Sequence, residues 1–128
     1  MSKVDTSQLI VERVQYDQVF AIRQEVFVKE YAIDHEEDYD GFDHLAYHYL
    51  LKVEGKPVAT ARWRRVQTGG RYRLERIAVR KKFRKQGIGT FLIENLLKDI
   101  PKDKEIFVHA PVDTIDFFLA LGFTETGF

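Results

Sequence analysis

The chain has 128 residues, 45% of them hydrophobic, which is the length of one domain with enough apolar side chains for a core and excludes a disordered chain. It contains no cysteine, so disulfides, thiolate nucleophiles and cysteine metal sites are excluded, and no apolar run approaches the ~20 residues of a membrane span. Net charge is zero, yet residues 1–60 hold 12 acidic against 6 basic side chains and residues 61–128 hold 8 against 14. An acidic half suits a cationic ligand and a basic half an anionic one, unless the two halves pair with each other.

Met1–Thr6 has no signal-peptide core, so the cytoplasm is the expected compartment. The alternation of Gln8–Val14 predicts a first strand. Tyr16–Lys29 carries Val19, Phe20, Ile22, Arg23, Val26 and Phe27 at helical spacing, and an acidic loop, Ala32–His44, follows. Leu45–Val53 and Pro57–Val66 read as strands joined by the turn Glu54-Gly55-Lys56. A second turn, Thr68-Gly69-Gly70, leads to a strand over Tyr72–Val79, making an antiparallel meander. Gln86–Ile100 is a predicted amphipathic helix stopped by Pro101. Glu105–His109 is a short strand, and Asp113–Leu121 a helix stopped by Gly122. The expected fold class is α/β, a mixed sheet with helices on both faces and one right-handed parallel β-α-β crossover.

The most specific run lies between the third predicted strand and the helix after it. Arg84-Lys85-Gln86-Gly87-Ile88-Gly89 is a basic, glycine-containing loop that ends on a helix N-terminus. The first N–H groups of a helix lack intrahelical acceptors, and the helix dipole places partial positive charge there, so a phosphate or pyrophosphate fits. Side chains at Gly87 or Gly89 would keep that phosphate off the backbone. The spacing matches neither a P-loop nor a G-x-G-x-x-G fingerprint. It fits R/Q-x-x-G-x-G/A.

This loop, with its strand and helix, resembles the acyl-CoA loop of the GNAT acetyltransferase superfamily, and the element order resembles the GNAT core over nearly the whole chain. Ile22–Glu30 (IRQEVFVKE), the acidic stretch Asp34–Asp43 and His48 resemble the ElaA-like and YjcF-like branch, which usually has Gln where this chain has Tyr31. The resemblance implies a GNAT acyl-CoA N-acyltransferase fold and acetyl-CoA as co-substrate. It implies transfer of the acetyl group to a primary amine of a small molecule or peptide. The backbone of Ile77, Ala78 and Val79 would bind the pantetheine arm as an added strand does. Arg84, Lys85, Gln86, Gly87, Ile88, Gly89 and Thr90 would take the pyrophosphate. Glu30, Asp43 and His48 would lie on the acceptor side.

Acyl transfer needs a neutral amine, a donor to the oxyanion and an acid for the leaving thiolate. Many GNAT proteins place a Tyr in F-Y-x-x-x-G-F for the last task; this chain has Phe118 there, which donates no proton. The candidate bases are Glu75, on the strand before Val79 and expected to share a face with Arg73 and Ile77, and His109, at the end of the parallel strand. Each has a structural alternative: an ion pair with a neighbouring Arg for Glu75, an ordinary hydrogen bond for His109. His48 has one too, a hydrogen bond to Asp43 or a loop carbonyl.

A calcium loop starting at Glu36 is disfavoured because its twelfth position is Tyr47, and no metal is expected. Nucleic acid could use Arg80–Lys85 and Arg62–Arg65, but zero net charge opposes it. The GNAT hairpin that follows the Gly-Phe turn is expected to be missing or incomplete, since the sequence stops at Phe128, and an open edge there would favour a homodimer. Phe118 and this ending also support an alternative, a CoA-binding module with little or no catalysis.

Overall fold

The computed structural model describes residues 5–67 and 69–126, without the side chains of His35 and Glu36. Strands β1 (Leu9–Val14), β2 (Tyr47–Val53), β3 (Lys56–Arg65), β4 (Tyr72–Val79) and β5 (Ile106–Phe107) form one sheet in chain order. The first four pair antiparallel, and β5 pairs with β4 in parallel. Helices α1 (Tyr16–Arg23), α2 (His35–Asp38), α3 (Ile88–Asp99) and α4 (Ile115–Ala120) complete it. This is the expected mixed sheet, with α3 as the crossover.

Alternation along the strands builds a core on each face. On one face Tyr49, Leu51, Ala61 and Leu74 pack against Leu92, Ile93 and Leu96 of α3 and Phe118 of α4. On the other, Leu50 and Ala78 pack against Val19, Ile22 and Val26. A polar tether crosses the first core: Trp63 Nε1 donates to the Tyr49 hydroxyl at 3.1 Å, which donates to Asp99 at 2.9 Å. Burial, then Asp99, pushes that phenol up to about 12, so it stays a donor.

Four departures from the predicted elements have physical causes. The helix expected over Tyr16–Lys29 is α-helical only to Arg23 and continues as a π-helix, Gln24–Glu30. Ile22, Arg23 and Val26 are all buried there, so tertiary contacts rather than propensity set the wider turn. β2 starts at Tyr47 because Asp43–Leu45 forms a 3₁₀ turn. α3 starts at Ile88 because Lys85 and Gly87 take φ of 62° and 83°, which no α-helix contains. β5 is only two residues long, since its ladder ends at Arg73–Phe107. The turn expected at Thr68 lies partly outside the described residues.

The most consequential departure is a bulge in β4. Thr60 opposes Ala78 and Arg62 opposes Glu75, so Ala61 faces two residues, Arg76 and Ile77. Arg76 sits at φ 55°. The extra residue reverses the alternation beyond it. Ile77 therefore packs into the core under α3, and Glu75 does not share its face as expected; its partners are Arg62, Arg64 and Arg73.

Candidate active site

β4 and β5 separate after Arg73, so that among the described residues the β4 edge from Leu74 to Val79 has no parallel partner. At the far end of that edge the chain turns through Lys81–Phe83 and enters α3 at Gly87. Gly87 is the N-cap, with no side-chain cap, so the first N–H groups of α3 point out of the helix unsatisfied by a cap. A Cβ on Gly89 would lie 3.4 Å from the Phe117 ring and 3.7 Å from Val79 Cγ2, so α4 and β4 both close on this turn. A strand edge thus leads through a short basic loop to a helix N-terminus, where an anion fits.

The basic run before α3 divides its labour. Arg80 faces inward, donating to the Pro57 carbonyl at 3.0 Å and pairing with Glu25 at 3.3 Å. Arg84 Nε donates to the Val79 carbonyl at 2.8 Å, and its Nη1 and Nη2 grip Glu30 at 2.5 and 2.7 Å. That hydrogen bond holds the Glu30 carboxyl below its ordinary value. Gln86 donates to the Lys82 carbonyl at 3.0 Å. Lys81, Lys82, Lys85 and Thr90 are exposed.

The acidic loop is largely an internal counter-ion. Arg23 Nη1 and Arg62 Nη1 both donate to Asp43 Oδ1, at 2.5 and 2.6 Å. Arg62 also bonds Asp40 at 2.6 Å and Glu75 through Nε at 2.8 Å and Nη2. Arg76 reaches Asp40 at 3.0 Å and the Glu37 carbonyl at 3.2 Å. The acidic and basic halves of the chain therefore pair with each other in the fold.

Glu75 accepts from Arg62 and Arg64 and pairs with Arg73 at 2.9 Å. Burial acts to raise its carboxyl, but the Arg64 and Arg62 bonds bring it below the ordinary value. Arg73 Nη2 donates to His109 Nδ1 at 3.1 Å. A guanidinium has no acceptor, so in this contact Nδ1 is the accepting nitrogen of His109. His109 is exposed beside the point where β4 and β5 part. His48 is buried, its Nε2 donating to the Asp43 carbonyl at 2.8 Å; burial pushes its pKa down and keeps it neutral. Asp43 and His48 line a cavity of about 420 Å³ with Arg13, Tyr16, Tyr39 and Tyr47.

Of the residues singled out from sequence, Asp43, His48, Glu75 and His109 belong to one connected network, linked through Arg62 and Arg73. Glu30 instead joins the loop before α3 through Arg84. Phe118 is a core ring, edge-on to Phe117 at 5.0 Å and Phe123 at 5.6 Å. The ion-pair roles of Arg23, Arg62 and Arg76 went unread in the sequence; the first two are buried, where an arginine demands a carboxylate, and the surplus of acids in residues 34–43 was the available signal.

Asp40 gives this network a pH signature. Burial acts to raise its carboxyl, but bonds from Arg62 and the Phe42 N–H bring it down to about 2 from 3.8. A depressed folded pKa adds stability that is full above the unfolded value and is lost as pH falls toward the folded one. Asp40→Asn is expected to be less stable than wild type at neutral pH, with the difference shrinking between about pH 4 and pH 2. Urea midpoints across that range measure it, and a constant difference refutes it.

Residues 16–123 match the Acetyltransferase (GNAT) family. The chain is 31% identical over 120 residues to YyaT of Bacillus subtilis, covering 89% of this chain and 79% of that protein. It is 37% identical over 84 residues to the uncharacterized N-acetyltransferase YjcF of the same organism, covering 66% of this chain and 59% of that protein. The crystal structure of Escherichia coli ElaA superposes with a TM-score of 0.77 at 21% identity, covering 93% of this chain and 94% of that one. With the family model matched over residues that include the β4 edge and the glycine turn on α3, the chain belongs to the GNAT family of acyl-CoA-dependent N-acetyltransferases.

Proposed function

We propose that this protein transfers the acetyl group of acetyl-CoA directly to a primary amine of a small molecule or peptide in the cytoplasm. The supporting observation is the β4 edge, unpaired with β5 beyond Arg73 among the described residues and joined by a short basic loop to the N-terminus of α3. In this reading the backbone of Ile77–Val79 bonds the pantetheine amides, and the N–H groups of Ile88, Gly89 and Thr90 take the pyrophosphate. Lys81, Lys82 and Lys85 add outer charge. The attacking nitrogen forms the new C–N bond, the tetrahedral oxyanion is met by β4 backbone N–H, and the C–S bond breaks to release CoA thiolate.

His109 is the proposed acceptor of the amine proton. Taking it at Nδ1 requires Arg73 to turn away, and Glu75 then serves as the anchor that positions Arg73. Asp43 and His48, beside three tyrosines in their cavity, supply the proposed acceptor-side surface. Solvent protonates the departing thiolate, since Phe118 has no proton to give.

Phe118 in the core and Glu75 held by three arginines favour one second reading, a CoA-binding module of little activity. Calorimetric titration with acetyl-CoA and CoA, with ATP as control, followed by thiol release in the presence of amines, separates the two. Binding of both CoA species with amine-dependent thiol release establishes the transferase. Binding without release across an amine panel establishes the module, and no binding overturns both.

A further inference from the structure

Glu30 and Arg84 lie 54 positions apart, yet form the best-defined ion pair at the end of β4. The carboxylate of Glu30 takes one N–H from each terminal nitrogen of Arg84, at 2.5 and 2.7 Å. Arg84 uses its remaining nitrogen, Nε, on the Val79 carbonyl at 2.8 Å. The guanidinium also lies 5.7 Å from the centre of the Tyr31 ring. All three of its nitrogens are therefore engaged by protein, and a two-point fork of this kind fixes orientation as well as distance.

Each end of this bridge sits where it matters. Val79 is the last residue of β4, and Arg84 opens the loop that turns through Lys85 and Gly87 into α3. Glu30 is the last residue of the π-helix, whose Val26 is anchored in the core on the opposite face of the sheet from α3. Arg84 turning toward a pyrophosphate would release both Glu30 and the Val79 carbonyl.

We propose that Glu30 is a positioning residue for the acyl-CoA site: it acts through Arg84, which rivets the phosphate loop to the end of β4 so that loop and strand edge present one continuous surface. The pyrophosphate is met by backbone N–H groups and the outer lysines, not by the Arg84 side chain. This rests on the acetyl-CoA reading above and assigns within it a role to a residue that the resemblance placed on the acceptor side.

The test is calorimetric titration of CoA, which needs no acceptor. Glu30→Gln keeps the shape and removes the charge; for a bidentate pair at this degree of exposure CoA affinity is expected to fall about fivefold. Arg84→Lys, which loses the fork, is expected to lose about tenfold. Combining Glu30→Ala with Arg84→Ala is expected to cost no more than Arg84→Ala alone, because the two act as one unit. Glu25→Gln, which breaks the neighbouring pair with Arg80, is expected to leave affinity unchanged and thermal unfolding reports that every variant is folded. Wild-type affinity in Glu30→Gln overturns the proposal, as does a rise in amine KM with CoA affinity unchanged. Failure of the wild-type protein itself to bind CoA would instead overturn the acetyl-CoA reading.

Discussion

Gly87→Val is expected to yield a folded protein that has lost acetyl-CoA binding by at least about 100-fold, from two effects with one origin. Gly87 holds φ at 83° as the N-cap of α3. For an L-residue that conformation costs ~1–2 kcal/mol, and a β-branched side chain is the worst occupant. If the loop keeps its shape, the valine methyls stand where a phosphate must approach the N–H groups of Ile88 and Gly89. If it relaxes, those N–H groups no longer converge. Calorimetry reads the affinity and thermal unfolding the fold. Gly89→Ala is the milder companion, since its methyl meets the Phe117 ring at an ordinary 3.4 Å. Near-wild-type binding by Gly87→Val would move the phosphate site elsewhere on the molecule.

Arg62→Met is expected to be strongly destabilising, by about 3–5 kcal/mol, or a Tm fall of roughly 10–20 °C. Arg62 is 1% exposed and touches Asp40, Asp43 and Glu75. Methionine fills much of the volume, so the loss is not chiefly a cavity; it is three carboxylates deprived of their shared cation, two of them buried. The sign of the pH dependence follows. Glu75 has its carboxyl lowered partly by Arg62, so removing that cation raises it, and protonation then relieves the defect. The gap between wild type and variant should therefore narrow as pH falls from 7 toward the carboxylate range. A gap that stays constant with pH would mean that packing, not charge, is what Arg62 contributes.

The element order and the glycine turn were legible from the sequence because each rests on local chemistry. Apolar residues recur at i, i+3 and i+4 in α3, a positive φ calls for glycine at 87, and the run Tyr72–Val79 was recovered with its bounds. What was not legible depends on partners distant in sequence. Nothing within Gln24–Glu30 announces a π-helix, and nothing near Arg76 announces a bulge, since arginine is an uncommon choice for φ 55°. The acidic loop invited a cationic ligand as readily as the internal arginines that occupy it; only the fold distinguishes these, by bringing Asp43 to Arg23 and Arg62. Glu75 and His109, named separately, turned out to be joined by Arg73, a link that no spacing rule expresses.

The brevity of the β4–β5 ladder has a thermodynamic consequence. An open strand edge is a template for pairing with another chain, and in the proposed acetyl-CoA reading the co-substrate would occupy that template. Anything that binds the folded chain and not the unfolded one stabilises it by mass action, ~2.7 kcal/mol at a hundredfold excess over Kd. Abundance and resistance to edge-to-edge aggregation would then follow the supply of acyl-CoA, so that the protein persists longest where its own reaction can run.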